Sequence, residues 1–181
     1  ADSDNGVLSA PTGLKAKKRE AKQVKLSWQT VGSAASYEVE LLNTKGTAVK
    51  TVTSAKNSKV VKKLTSNKKY SYRVRSVGAA GSKSSWSQTL VFRTKPAAPA
   101  LSTLRVSQKV SDSVVLQWKK PRGKIKKYIV SVLNAKGKLV QTATIKKHSV
   151  TITGLTKGTT YSVTVKARFN KKNISAASKK R

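Results

Sequence analysis

Apolar residues recur at every second position through short segments of this chain. Val24, Leu26 and Trp28 alternate with Lys25 and Ser27. Tyr37, Val39 and Leu41 alternate with Glu38 and Glu40. Tyr70, Tyr72 and Val74 alternate with Ser71, Arg73 and Arg75. A period of two puts one face of a β-strand on a core and the other in solvent. Polar turns separate these segments, and "NTKG" (Asn43–Gly46) and "NAKG" (Asn134–Gly137) read as hairpin turns. No helical apolar stripe of useful length appears, so the pattern predicts an all-β protein.

The pattern occurs twice. "VKLSWQ" (Val24–Gln29) aligns with "VVLQWK" (Val114–Lys119). "SYEVELLNTKGTAVKT" (Ser36–Thr51) aligns with "KYIVSVLNAKGKLVQT" (Lys127–Thr142), and "LTSNKKYSYRV" (Leu64–Val74) with "LTKGTTYSVTV" (Leu155–Val165). The offset is 90 at Trp28 and Trp118 (118 − 28) and 91 at Tyr70 and Tyr161 (161 − 70). The 181 residues therefore divide into two copies of one domain. The expected layout is a tail over 1–9, a first domain over 10–95, a Pro/Ala hinge over 96–99, and a second domain over 100–181. Seven short strands per copy predict a β-sandwich.

"YSYRVRS" (Tyr70–Ser76) interleaves aromatic and basic residues, as a stacking surface for nucleic-acid bases would. The second copy argues against that use. Its equivalent strand keeps the inward Tyr161 while the outward positions change to "SVTVKAR". Tyr70, Tyr72 and Val74 are thus expected in the core. Arg73 and Arg75 are expected outside, opposite Glu38 and Glu40 as cross-strand ion pairs.

The arrangement resembles the fibronectin type III domain from Ala10 onward. The residues that carry the resemblance are Trp28 and Trp118, Tyr37 and Tyr128, and the Leu-x5-Tyr units Leu64/Tyr70 and Leu155/Tyr161. The last resemble the family's tyrosine corner, in which the hydroxyl meets a backbone group across a turn. The resemblance implies two immunoglobulin-like seven-stranded β-sandwiches in tandem, similar to modules of bacterial secreted and surface-attached proteins. It does not name a ligand. "SSWSQ" (Ser84–Gln88) resembles half of the Trp-Ser-x-Trp-Ser motif of cytokine-receptor modules. On that reading Trp86 lies over Arg73 or Arg75 as a cation–π pair. The competing use of Trp86 is an exposed platform for a carbohydrate ring.

Catalysis is not expected. The lone His148 sits in a polar turn with no counterpart in the first copy. Asp2 and Asp4 lie in the tail, Glu20 and Asp112 precede strands, and Glu38 and Glu40 serve the outer face. No acid/base pair, metal-ligand spacing or phosphate-binding glycine loop is visible. No cofactor and no small-molecule substrate are expected. There is no cysteine, which excludes disulfides, and no apolar run of transmembrane length. There is no methionine, so Ala1 reads as the start of a processed or excised chain, and "ADSDNG" suits a mature N-terminus.

Charge then becomes the dominant feature. Lys and Arg number 39 against 6 Asp and Glu, a formal net charge of +33. Such a chain is drawn to polyanions. Lysine outnumbers arginine, which favours loose electrostatic attraction over forked phosphate reading.

Antiparallel strands put successive loops at opposite ends of a sandwich. By the polarity the resemblance implies, the loops after the first, third and fifth strands of copy one form a basic pole. It holds Lys15, Lys17, Lys18, Arg19, Lys22, Lys45, Lys68 and Lys69. The loops after the second, fourth and sixth strands of copy two form another. It holds Lys119, Lys120, Arg122, Lys124, Lys126, Lys127, Lys146, Lys147, Arg168, Lys171 and Lys172. These poles are expected to face each other across the hinge and to repel within a Debye length of about 8 Å unless an anionic polymer bridges them.

The expected function is a non-enzymatic, secreted or cell-surface adhesion module. It would hold a cell-wall phosphate polymer, DNA or a sulfated glycan through the junction lysines. The alternative is a spacer or protein-interaction module of a larger surface protein or secreted enzyme, its charge serving solubility and retention at an anionic envelope. One further expectation concerns "NISAASKKR" (Asn173–Arg181), a shorter last strand than "SWSQTLVFRT" of copy one. It leaves part of an edge open to a strand from a protein partner.

Overall fold

The computed structural model describes residues 7–106 and 112–181, with the side chains of 105 and 106 excepted. Most of the expected tail, its acids Asp2 and Asp4, and most of the loop "SQKVSDS" in copy two lie outside the described residues. Two compact units meet in sequence at Thr94 and Lys95.

Unit one holds β1 (Lys15–Lys17), β2 (Val24–Ser27), β3 (Ser36–Leu42), β4 (Ala48–Ser54), β5 (Ser58–Val61), β6 (Lys69–Val77) and β7 (Leu90–Arg93). One sheet is ordered β1-β2-β5 and the other β4-β3-β6-β7. Unit two holds β8 (Ala100–Val106), β9 (Val114–Lys119), β10 (Lys127–Asn134), β11 (Leu139–Ile145), β12 (Ser149–Ile152), β13 (Tyr161–Asn170) and β14 (Asn173–Ile174). Its sheets are ordered β12-β9-β8 and β11-β10-β13-β14. All pairings are antiparallel. The protein is all-β, two β-sandwiches in tandem.

The alternation in sequence becomes alternation in burial. Along β6, Tyr70, Tyr72, Val74 and Ser76 are buried while Ser71, Arg73 and Arg75 are half-buried on the outer face. The core of unit one gathers Val24, Leu26, Trp28, Tyr37, Val39, Leu41, Val61, Leu64, Tyr70, Tyr72, Val74 and Phe92. That of unit two gathers Leu116, Trp118, Tyr128, Val130, Val132, Ile152, Val163, Val165 and Ala167. In both, an indole meets a tyrosine edge to face: Trp28 with Tyr37 at 5.3 Å and Trp118 with Tyr128 at 5.1 Å. Trp28 lies one residue past β2 and stays tied to the sheet by its N–H to the Asn57 carbonyl.

The tight turns follow from local chemistry. The Asn43 side-chain oxygen accepts the N–H groups of Lys45 and Thr47, and Gly46 takes a φ of 79° that a side chain would resist. Asn134 and Gly137 repeat the device in unit two, with a φ of 77°. The two tyrosine corners also match. The Tyr70 hydroxyl accepts the Thr65 N–H at 3.1 Å, and Tyr161 accepts the Thr156 N–H at 3.1 Å. Tyr72, buried between the sheets, shares its hydroxyl proton with the carbonyls of Lys15 and Ser27. Burial pushes the ionisation of this phenol well above the usual tyrosine range.

Candidate functional site: basic poles and an outer-face ladder

The outer face of β6 carries a ladder of alternating charge. The Arg73 Nε donates to Glu40 Oε2 at 2.6 Å, and the Arg75 Nε donates to Glu38 Oε2 at 2.7 Å. Register makes this possible, since Glu40 faces Arg73 and Glu38 faces Arg75 across the ladder. Lys83 adds a second contact to Glu38 at 2.7 Å. The ring of Trp86 lies 4.7 Å from the Arg73 guanidinium and 4.3 Å from that of Arg75. Trp86 is half-buried and lies against both cations. In unit two Thr164, Lys166 and Ala177 occupy the corresponding positions, so the ladder belongs to unit one.

The Lys83 ammonium, followed by the Arg75 guanidinium, holds the Glu38 carboxyl below its usual value of 4.5. A carboxylate depressed in the folded state adds stability above its unfolded pKa and loses it as pH falls through the folded one. Acid titration of unit one by circular dichroism should therefore show a loss of stability below pH 4.5. Glu38→Gln should remove that part of the pH dependence.

Serines finish the same edge in both units. The Ser84 and Ser87 hydroxyls accept the N–H groups of Ser76 and Val74, and Ser175 and Ser178 do the same for Ala167 and Val165. These side chains take the place of ladder bonds where the chain leaves regular strand geometry. Alternation and charge do not point to them, although the Ser-x-x-Ser spacing recurs at the repeat offset.

In unit two the backbone brings three basic loops to one end. The Trp118 N–H bonds the His148 carbonyl, joining the turn of Lys146 and Lys147 to the end of β9 with Lys119 and Lys120. The Lys126 N–H bonds the Arg168 carbonyl, and Lys127 pairs with Arg168, joining the loop of Arg122, Lys124, Lys126 and Lys127 to β13. Lys171 and Lys172 form the β13–β14 turn, which the Asn170 side chain closes by accepting the N–H groups of Lys172 and Asn173. The Lys126 ammonium lies 5.6 Å from the Phe169 ring centre. Ten of the eleven basic residues are exposed, and Arg168 is half-buried. The one Asp or Glu in residues 95–181 is Asp112, which precedes β9 and so lies a strand's length from this pole.

The pole of unit one is less uniform. The Leu64 N–H bonds the Lys22 carbonyl, and the Thr94 N–H bonds that of Lys68, so the β1–β2 loop, the β5–β6 loop and the end of β7 are adjoining. Lys17, Lys18, Lys22, Lys68 and Lys69 are exposed there, and so is Lys45 in its turn. Arg19 is turned inward, its guanidinium donating to the Arg93 carbonyl at 2.8 Å. The Lys68 ammonium lies 5.5 Å from the Tyr70 ring centre. Lys15 stands opposite Ser27, at the end of β1 away from the β1–β2 loop, so the register separates it from the others. Glu20 sits within the same loop and dilutes the field.

Among the described residues no group of three or more His, Asp or Glu side chains could hold a metal. No helix there is long and apolar enough to cross a membrane.

The fold and these sites define a tandem of β-sandwich modules of the binding or spacer kind. The fibronectin type III domain family matches residues 9–93 and 97–180, and the chain belongs to that family. Domains of this family are typically non-catalytic and commonly extracellular. Among solved structures, the chain is similar to a two-domain fibronectin type III segment of chicken tenascin, with 17% identity and a TM-score of 0.54 over 96% of this chain and 98% of that one. It is also similar to the FN1–FN3 domains of chicken CNTN1, with 16% identity and a TM-score of 0.48 over 97% of this chain and 67% of that one. No curated protein sequence matches it.

Proposed function

We propose that the chain is a non-enzymatic extracellular binding module that holds polyanionic polymers through its basic poles, with the pole of unit two as the stronger. One observation carries this reading. Eleven basic residues meet at one end of unit two while the lone acidic side chain of that unit stands a strand's length away. Lysines placed only for solubility have no reason to cluster, since self-repulsion within a cluster costs stability. Cell-wall phosphate polymers, extracellular DNA and sulfated glycans share the required charge density. A bacterial secreted or surface setting fits that ligand class.

The spacer reading makes a different use of the charge, as a diffuse coat. Two variants separate them. One changes Lys119, Lys120, Lys124, Lys126 and Lys127 to Ser. The other changes Lys56, Lys62, Lys136, Lys138 and Lys157 to Ser, all exposed and all outside the poles. The two variants have equal net charge. Binding to duplex DNA, heparin and polyphosphate should fall in the first variant by roughly 10²-fold or more and far less in the second. Equal losses would mean diffuse charge and favour the spacer.

A further inference from the structure

Three of the described edge strands run to seven residues: β4, β8 and β11. β4 carries Lys50 and β8 carries Arg105, but β11, "LVQTATI", carries no charge. Charges along an exposed edge keep other strands from pairing with it. In a chain with 39 basic residues, the uncharged edge of β11 is an exception.

Unit one shows how such an edge is closed. Lys50 stands opposite the buried Leu41, on the inward face of β4, and its ammonium donates to the Lys62 carbonyl at 2.7 Å. The Ser54 hydroxyl donates to the Ser58 carbonyl, also at 2.7 Å. These bonds tie β4 to β5 and the residue after it. In unit two the same register positions, opposite Val132 and Tyr128, hold Gln141 and Ile145. The place of Ala48 is taken by Leu139, which is 52% exposed, next to Val140 at 51%.

The backbone of β11 turns outward at alternate residues. The Val165 carbonyl accepts the Ser178 N–H and the Val165 N–H goes to the Ser178 hydroxyl, so Val165 bonds away from β10. Bonded positions alternate along an antiparallel ladder. Thr164 and Lys166 therefore bond Ser131 and Ile129, and Val130 between them bonds Ala143. Thr142 and Thr144, both exposed, then present their N–H and C=O groups to the open side of β11.

Charge selects the occupant. Lys136 and Lys138 precede β11, Lys146 and Lys147 follow it, and all four are exposed. A second copy paired antiparallel would set one lysine pair against the other at both ends, which like-charge repulsion opposes. Seven residues of strand span about 24 Å, some three Debye lengths, so each end calls for its own counter-charge.

We propose that the edge of β11 accepts an extended segment of a partner protein, β-branched in its centre and acidic at both ends. The segment adds as a strand on Thr142 and Thr144, and its end carboxylates meet the two lysine pairs. The site adjoins the basic pole through Lys146 and Lys147, but its bonds are those of the β11 backbone and need no polymer.

The test is a titration of the full chain, ¹⁵N-labelled, with the peptide Asp-Asp-Val-Thr-Val-Thr-Val-Asp-Asp and no polyanion present. Saturable shifts and slowed hydrogen exchange are expected at the Thr142 and Thr144 amides. A peptide of equal charge with proline as its central residue should give neither. Gln141→Lys restores the lysine of unit one and raises the positive charge, yet it should abolish peptide binding. Thr144→Pro removes one outward N–H at a position where an edge strand tolerates proline, and it should do the same. Equal binding of the proline peptide, tighter binding by Gln141→Lys, or no response at β11 would overturn the proposal. So would protection of the same amides that grows with protein concentration in the absence of peptide, which would seat a second copy on the edge.

Discussion

Between 50 and 200 mM salt, the affinity of this chain for duplex DNA should fall by roughly 10³–10⁵-fold, the loss for a protein that neutralises about 6–10 phosphates. The pole of unit two holds eleven basic residues, ten of them exposed, which is enough to reach that number. The effect arises from counterions that bound lysines release from the polymer and that added salt drives back. Changing Lys119, Lys120, Lys124, Lys126 and Lys127 to Ser should flatten the slope of log affinity against log salt by about 0.9 for each phosphate that is no longer neutralised. Fluorescence anisotropy with labelled duplexes across a salt series measures both quantities. A slope unchanged in this variant would mean that the phosphates are neutralised elsewhere on the surface. A steep slope with little preference among DNA, heparin and polyphosphate suits lysine, whose point charge reads density more than shape.

Trp118→Ala should cost unit two about 3–5 kcal/mol, the usual loss for deleting a fully buried aromatic side chain. Trp118 is 1% exposed and packs edge to face on Tyr128. A small domain has only about 5–15 kcal/mol in total, so the variant stands near the edge of folding. Urea denaturation followed by far-ultraviolet circular dichroism should show the transition of unit two at much lower denaturant. The transition of unit one should stay where it was, because the two cores share no residue. Trp118→Phe should cost clearly less. It keeps most of the apolar volume and an aromatic ring against Tyr128. A Phe variant as unstable as the Ala variant would contradict this account.

The faces of the strands were legible in the sequence alone, because a period of two is local and needs no knowledge of partners. Tyr72 and Val74 inward, Arg73 and Arg75 outward, and Glu38 and Glu40 opposite them all follow from alternation and one internal repeat. The repeat also set the number of sandwiches, and the Leu-x5-Tyr units marked the corners that Thr65 and Thr156 complete. Other features depend on contacts between residues far apart in the chain. The inward turn of Arg19 onto Arg93 is one, and the distance of Lys15 from its expected pole is another. A third is the role of Ser84, Ser87, Ser175 and Ser178, whose hydroxyls matter only because the last strand leaves ladder geometry there. The serines show the reason most directly. A hydroxyl can accept an N–H of β6 or β13 only once the edge of the sheet is in place. That placement is non-local, and it is settled only when the strands pair and the two sheets pack against each other.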